Sequence, residues 1–305
     1  MGADDSASAS PSPTPSRPDP GLAGGRPPLR AAELERALVR PGGLWRTLTV
    51  VPAMASTNTA LLERARAGEP EGAVLVTEHQ TAGRGRLDRG FTTPPRAALT
   101  LSVLVRPAVP AARVGWLSLM MGAAAVAAVE RAAGVTAALK WPNDLLSGDG
   151  EHKLAGILAE AAFPPPEGGG AAAGPGVVIG IGLNVSQERA ELPVETATSL
   201  ALCGAPGADR DALLRALLEE FARRYTDWTA AGGDAEAAGL AREYRRHCRT
   251  IGRDVRVHLP GDRRVEGRAA GVDAEGRLVV RTEAGEERPL SAGDVVHVRP
   301  GGAAG

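Results

Sequence analysis

Two lysines are unusual among the 35 lysine and arginine residues of this 305-residue chain. Lys140 and Lys153 are its only lysines, and the other 33 are arginine. A bias that replaces lysine by arginine wherever charge alone matters leaves lysine where a compact ammonium does what a planar guanidinium cannot. We therefore interpret both lysines as candidate functional residues.

A second candidate is the polar segment Gln80–Phe91, which reads QTAGRGRLDRGF. Glycine lets the backbone approach a ligand closely, and Arg84, Arg86 and Arg89 offer forked donors to phosphate or carboxylate. The segment is not a phosphate loop of the GxxxxGK[ST] type, and it does not open a helix as a dinucleotide fingerprint would. A solvated basic loop is the alternative, although its length favours function.

Each of the two lysines begins a short motif. Lys140 opens KWPNDLL, where proline fixes a turn and presents Asn143 and Asp144 at the end of a strand, a common ligand position in α/β sheets. Lys153 opens the strand KLAGILAE, which includes Gly156. An ordinary Asn-Asp turn and protection of a sheet edge by lysine are the alternatives.

Two further segments carry the remaining asparagines. In VVIGIGLNV, Gly180 and Gly182 lie inside an apolar strand and predict close approach by a ligand or another backbone, and Asn184 follows them. Ser56, Thr57 and Asn58 begin a helix. Ser56 is a good N-cap, and a helix N-terminus is already a polar site.

The composition excludes several classes of protein. The net charge of −1 gives no global electrostatic case for a nucleic acid or membrane partner. No apolar run reaches the roughly 20 residues of a bilayer span, and the N-terminus lacks the features of a secretory signal. Cys203 and Cys248 are too few for a disulfide framework, so we expect a cytoplasmic protein.

The hydrophobic pattern predicts a mixed α and β domain over residues 29–249, and about five short strands that form a small β-barrel over residues 250–300. Residues 1–28, rich in Ser, Pro and Gly, and residues 301–305 are expected to be disordered tails. The predicted helices cover residues 31–39, 57–67, 115–133, 211–228 and 235–248. The predicted strands of the first domain cover residues 45–51, 72–77, 99–105, 137–141, 154–162 and 177–185.

The ordered set STN, QTAGRGRLDR, KWPND, KLAGI and IGIGLNV resembles the biotin–protein ligases over roughly residues 27–300. The resemblance implies an α+β fold: a class II synthetase-like mixed sheet flanked by helices, followed by an SH3-like barrel. It implies formation of biotinyl-5′-AMP and pyrophosphate from biotin and ATP, and then transfer of biotin to a lysine of a carboxylase carrier domain. Mg²⁺ is expected with the ATP.

The resemblance also assigns roles to residues. Lys153, Arg84 and Arg86 would be catalytic. The residues implied at biotin are Ser56, Thr57, Asn58, Gln80, Gly83, Arg84, Gly85, Arg86, Lys153 and Gly156. Those implied at ATP or the adenylate are Arg86, Arg89, Phe91, Asn143, Asp144, Lys153 and Asn184, with Asp144 a candidate Mg²⁺ ligand.

Two departures from the family pattern matter. Many members carry Trp where this chain has Phe91, which would stack less well on adenine. Some bacterial members carry an N-terminal DNA-binding domain, for which residues 1–43 are too few. We therefore expect a monofunctional enzyme, monomeric or weakly dimeric, without operator binding.

Three alternatives stay open. A lipoate or octanoate ligase shares the fold, although Cys203 and Cys248 lie outside the motifs that a cysteine-dependent member needs. A DNA-binding repressor is disfavoured by the net charge. A binder of biotin or its adenylate without catalysis is the third.

Overall fold

Two sheets and a short hairpin organise the protein in a computed structural model that describes residues 25–86, 90–163, 175–261 and 263–298. The strands of the first domain are β1 (Thr47–Val51), β2 (Ala73–Thr77), β3 (Gly83–Arg84), β4 (Gly90–Phe91), β5 (Ala98–Val105), β6 (Ala137–Lys140), β7 (Asp144–Ser147), β8 (Lys153–Ala162) and β9 (Gly176–Asn184). The strands of the second are β10 (Asp254–Leu259), β11 (Arg263–Val272), β12 (Leu278–Arg281), β13 (Glu287–Leu290) and β14 (Asp294–His297).

The larger sheet has seven strands in the order β1-β2-β5-β9-β8-β7-β6. Only β1 and β2 pair in parallel, and all other neighbours are antiparallel. The mixed sheet predicted from the sequence is therefore confirmed. The strands β5 and β9 are buried along their whole length, which explains their unbroken apolar runs.

Helices cover both faces of this sheet. They are α1 (Ala31–Leu38), α2 (Thr57–Arg66), α3 (Trp116–Ala133), α4 (Arg210–Ala230) and α5 (Leu240–His247). On one face, α2 packs its leucines against alternate residues of β2, β5 and β9. The intervening residues of the same strands join the main core, which α3 and α4 also build.

The region Ala111–Ala133, which contains α3, is the one described helical segment long and apolar enough to cross a bilayer. Its most apolar window is 67% buried inside the fold. The apolar residues of this segment are therefore those of a helix packed in the protein core.

The smaller sheet is antiparallel throughout, in the order β13-β12-β11-β10-β14. Five short strands were predicted here, and five are present. The turn between β11 and β12 contacts the first domain, where Trp141 Nε1 donates to Gly276 O at 3.1 Å and Trp116 Nε1 to Ala274 O at 3.0 Å. Two buried tryptophans of the first domain thereby hold the second domain in place.

Three details differ from the sequence prediction. The last helix begins at Leu240, because Gly239 adopts a left-handed φ of 74° and interrupts the predicted run from residue 235. The strand β7 follows the KWPN turn and was missed, and the polar segment Gln80–Phe91, for which no strand was predicted, contains the hairpin β3–β4. The insert between β8 and β9 lies largely outside the described residues, and its flanking strands pair antiparallel.

A buried ion pair fastens α4 to the end of β2. Arg210 Nη1 lies 2.6 Å from Glu78 Oε2, and each side chain is 7% exposed. Glu78 Oε1 also accepts from the backbone of Leu29 at 2.6 Å, and Arg210 donates to Pro27 O. One pair therefore joins α4, the sheet and the segment that leads into α1.

We expect Arg210→Met to lower the free energy of unfolding by about 3–5 kcal/mol, because it leaves the Glu78 carboxylate buried without its counter-charge. Urea denaturation monitored by circular dichroism measures this change. Arg223→Met is the matched control on the same helix, since Arg223 is 55% exposed and its ion pairs contribute roughly 0–1 kcal/mol. Equal losses in the two variants would contradict the argument.

Candidate active site

A cavity of about 1330 Å³ lies between the larger sheet and the C-terminal sheet. Its lining brings together residues that are far apart in sequence and that the sequence singled out: Ser56, Thr57, Asn58, Gln80, Arg84, Gly85, Arg86, Phe91, Lys140, Asn143, Asp144, Lys153, Gly156 and Asn184. Gly83, which pairs with Phe91 in the hairpin β3–β4, is not among the lining residues. Arg89 lies outside the described residues.

The N-terminus of α2 forms one end of the cavity. Ser56 caps the helix, its Oγ accepting from Thr59 N at 3.4 Å. Thr57 donates to Gln80 Oε1 from both its backbone nitrogen, at 2.9 Å, and its hydroxyl, at 3.1 Å. The predicted N-cap is confirmed, and Thr57 and Gln80 hold each other in fixed orientations at the cavity wall.

Asn58 extends this polar group across the sheet. Its Oδ1 lies 2.6 Å from Ser102 Oγ, and its Nδ2 donates to Leu158 O at 3.1 Å and to Glu160 Oε2 at 2.8 Å. Ser102 Oγ is also 2.7 Å from Thr57 Oγ1. Sequence reasoning missed Ser102 and Glu160, although a serine in the apolar strand ALTLSVLV was a signal that could have found the first.

The two glycines of β9 make room for side chains. A Cβ at Gly180 would lie 2.1 Å from Asn58 Oδ1, and a Cβ at Gly182 would lie 2.5 Å from the ring of Phe91. The predicted close approach is therefore present, and the groups that approach the two glycines are the side chains of Asn58 and Phe91. Both glycines are needed because β9 forms the floor on which Asn58 and Phe91 rest.

Lys153 lies at the start of β8, and its ammonium is 2.6 Å from Asp144 Oδ1. The strand β8 is an inner strand between β7 and β9, so protection of a sheet edge does not explain this lysine. A Cβ at Gly156 would lie 3.3 Å from Lys153 Nζ, which shows that this glycine leaves space for the ammonium. Asp144 and Gly156 are themselves direct partners across β7 and β8.

The arginines of the glycine-rich segment reach two different parts of the cavity. Arg84 Nη2 donates to Glu160 Oε1 at 3.1 Å. Arg86 Nη1 lies 3.4 Å from Asn143 Oδ1 and 3.3 Å from Gly293 O, a residue of the second domain. Arg86 thus connects the segment to the KWPN turn, which contains a cis peptide before proline, and to the C-terminal sheet.

Asn184 is buried, and its amide is bonded within the protein. Its Nδ2 donates to Thr198 O at 2.9 Å, and its Oδ1 accepts from Gln187 Nε2 at 2.8 Å. The side chain lines the cavity and fixes the segment around Thr198 beside it. The role at ATP or the adenylate that the resemblance implies for Asn184 stays a prediction.

The C-terminal sheet contributes lining residues that the sequence did not indicate, among them Arg253 and His297. Burial lowers the pKa of His297 to about 4, with the nearby charges of Lys140 and Arg253 acting in the same direction and Glu151 opposing them. His297 Nε2 lies 3.2 Å from Thr250 Oγ1. In the sequence, these residues look like the solvated face of short strands.

Comparisons with known proteins show which family the chain resembles. Residues 50–184 match the model of the biotin/lipoate A/B protein ligase family, and residues 250–298 match the biotin protein ligase C-terminal domain. The chain is 44% identical to the biotin–[acetyl-CoA-carboxylase] ligase of Mycobacterium tuberculosis, over 90% of this chain and 97% of that protein. It is 33% identical to the bifunctional ligase/repressor BirA of Escherichia coli, over 82% of this chain and 73% of that protein.

A solved structure shows the same fold. The biotin protein ligase from Aquifex aeolicus in complex with biotin and ATP superimposes with a TM-score of 0.64. It is 24% identical and covers 84% of this chain and 100% of its own.

The lowered pKa of His297 predicts a pH effect. Between the ordinary pKa of 6.5 and the folded value of about 4, the unfolded chain binds a proton at this residue that the folded protein does not. This imidazole therefore destabilises the folded state as the pH falls through that window. Proton NMR should show the His297 ring unprotonated from about pH 8 down to about pH 5.

Replacing Lys140 by methionine should raise the pKa of His297, because it removes one of the two positive charges that oppose protonation. The same NMR titration measures the change. A His297 inflection near the ordinary value in the unmodified protein would contradict this account.

Proposed function

The chain belongs to the family of biotin protein ligases, and from that premise we propose that its cavity joins biotin to ATP and then passes biotin to a lysine of an acceptor protein. The observation that carries the proposal is the meeting of Lys153, Arg84 and Arg86 in one cavity with the polar N-terminus of α2. The similarity covers 97% of the length of the Mycobacterium ligase, which supports both steps of the proposed reaction.

The first step has an electrostatic problem. A biotin carboxylate oxygen attacks the α-phosphorus of ATP, the bond to the bridging oxygen breaks, and pyrophosphate leaves. Both reactants are anions, so fixed cations must offset their repulsion and hold them in line. Lys153, held by Asp144 at 2.6 Å, supplies a compact charge whose position is set before the substrates arrive.

In the second step the nucleophile is a neutral amine, so there is less charge repulsion to overcome. The amine of an acceptor lysine attacks the carbonyl carbon of the biotinyl adenylate, the bond to the phosphate oxygen breaks, AMP leaves, and the amine loses a proton. The cations that bind the α-phosphate also stabilise the AMP leaving group. One set of side chains therefore serves both steps.

Biotin is placed at the α2 end of the cavity. Its ureido ring needs both donors and acceptors, which the hydroxyl groups of Ser56 and Thr57 and the amides of Asn58 and Gln80 provide. The valeryl chain then runs toward Lys153 and the Arg84–Arg86 segment. Gly85 lines this part of the cavity and lets the backbone approach the ligand.

We propose that ATP binds toward the second domain. Arg86, Asn143, Phe91 and Asn184 line the cavity. In the proposal, the first two contact the phosphates and the last two contact the base. Mg²⁺, when bound, neutralises charge on the phosphates, and Asp144 is the proposed protein ligand. No group of three or more His, Cys, Asp or Glu side chains that could hold a metal occurs within the described ranges, so phosphate oxygens and water would complete the ligand set.

We further propose that the acceptor is the biotin carrier domain of an acyl-CoA carboxylase, as the name of the Mycobacterium relative suggests. The enzyme is proposed to act in the cytoplasm, as a monomer or weak homodimer, without nucleic acid or membrane. A lipoate ligase is the alternative within the fold, and the match of residues 250–298 to the biotin protein ligase C-terminal domain favours biotin.

We expect Lys153→Met to slow pyrophosphate release with biotin and ATP by roughly 10²–10³-fold, because it removes a charge that acts where the transition state gains it. The pyrophosphate release rate of Lys153→Arg should stay well below that of the unmodified enzyme, since a planar guanidinium spreads its charge and does not replace a compact ammonium. Arg131→Met, on an exposed ion pair of α3, is the control. An unchanged rate in Lys153→Met would contradict the assignment.

Substrate choice is tested by offering labelled biotin or lipoate with ATP and an isolated carrier domain. We expect labelled biotin, and not labelled lipoate, to become attached to the carrier. No label should be attached when the target lysine of the carrier is replaced. Pyrophosphate release with lipoate but not with biotin would favour the alternative, and no label under any condition would refute the proposed function.

A further inference from the structure

Glu160, on β8, is a carboxylate that the reaction as described above does not use. Arg84 Nη2 lies 3.1 Å from Glu160 Oε1 and 3.3 Å from Oε2. Glu160 Oε2 also accepts from Asn58 Nδ2 at 2.8 Å. One carboxylate therefore joins the glycine-rich segment to the first turn of α2.

The ion pair leaves part of the Arg84 guanidinium available. Only Nη2 contacts Glu160, and no described residue accepts a hydrogen bond from Nη1 or Nε. Arg84 lines the cavity with its side chain 45% exposed. Because a guanidinium is planar and rigid, fixing one edge of the group also fixes the direction of the other.

The second bond of Glu160 leads into the polar group at the biotin end. Asn58 is 5% exposed, and its Oδ1 is 2.6 Å from Ser102 Oγ, which is 2.7 Å from Thr57 Oγ1. The backbone N–H of Thr57 in turn donates to Gln80 Oε1 at 2.9 Å. A continuous hydrogen-bonded path thus runs from Arg84 through Glu160 to the residues proposed to hold the ureido ring.

We propose that Glu160 is a positioning residue that sets the orientation of Arg84 and couples it to the biotin ring pocket. This inference rests on the proposed function and deepens it. Biotin that contacts Asn58 and Thr57 meets a network whose other end holds Arg84, so ring recognition and placement of the cation beside the carboxylate occur together. Within the described part of the chain, the Glu160 carboxylate bonds to Arg84 and Asn58, and neither is among the residues proposed to contact ATP.

A purely structural role for Glu160 is the competing account, because its bond to the buried Asn58 amide satisfies a polar group that is costly to leave without a partner. The ion pair with Arg84 does not add to that account, since exposed pairs of arginine and glutamate contribute little to stability. The two accounts differ in one measurable respect: a positioning residue acts through Arg84, and a structural one does not.

The test uses Glu160→Gln, which keeps the size of the side chain and an oxygen acceptor for Asn58 but removes the charge that holds Arg84. We expect the KM for biotin in pyrophosphate release to rise about tenfold, which is the loss of one hydrogen bond to a charged group. The KM for ATP should change less than twofold, and the melting temperature should not move.

Glu69→Gln is the matched control. The pair of Arg64 and Glu69 is also an arginine–glutamate ion pair, with side chains 37% and 22% exposed against 45% and 26% for Arg84 and Glu160. It lies at the C-terminal end of α2, away from the cavity lining. We expect its KM for biotin to equal that of the unmodified enzyme.

A double-mutant cycle with Arg84→Met decides between the accounts. If Glu160 acts through Arg84, adding Glu160→Gln to Arg84→Met raises the KM for biotin no further. A tenfold effect that persists in the Arg84→Met background, or a Glu160→Gln enzyme equal to the unmodified one, would overturn the inference. Failure of the unmodified enzyme to release pyrophosphate would instead refute the proposed function.

Discussion

The antiparallel pairing of β8 with β9 is the constraint on which the cavity depends. Its register places Gly156 opposite Gly182 and Leu158 opposite Gly180. Three glycines of the two strands therefore form a surface without side chains in the middle of the sheet. That surface accepts the side chains of Asn58 and Phe91 and the ammonium of Lys153. A slip of one residue would turn every side chain of a strand to the opposite face, so this register sets the shape of the site.

Charge in the cavity is arranged as pairs of fixed groups. Lys153 is held by Asp144, and Arg84 by Glu160, so each cation has a defined position and a partner that offsets the cost of removing it from water. Pre-set cations need little reorganisation when two anionic substrates approach each other, which is the main requirement of adenylate formation.

The second domain completes the site and is not merely attached to it. Trp116 and Trp141 donate to the carbonyl groups of its β11–β12 turn, and Arg86 reaches Gly293 beside β14. His297 and Arg253 then face the cavity from the C-terminal sheet. A displacement of this sheet would therefore change the lining of the end of the cavity proposed for ATP. It would also break the contact of Arg86 with Gly293 that holds the glycine-rich segment.

The sequence alone determined the local features of this protein: the Ser56 cap, the start of β8 at Lys153, the pair of glycines in β9 and the five strands of the second domain. These follow from neighbouring residues, because caps, periodicity and turns are set within a few positions. Only the tertiary structure decided that Glu160 joins Arg84 to Asn58, that Phe91 lies over Gly182 and that Arg253 and His297 face the cavity. Arg84 and Glu160 are 76 positions apart and Asn58 and Glu160 are 102 apart, so these contacts depend on strand order and register, which a local pattern does not encode.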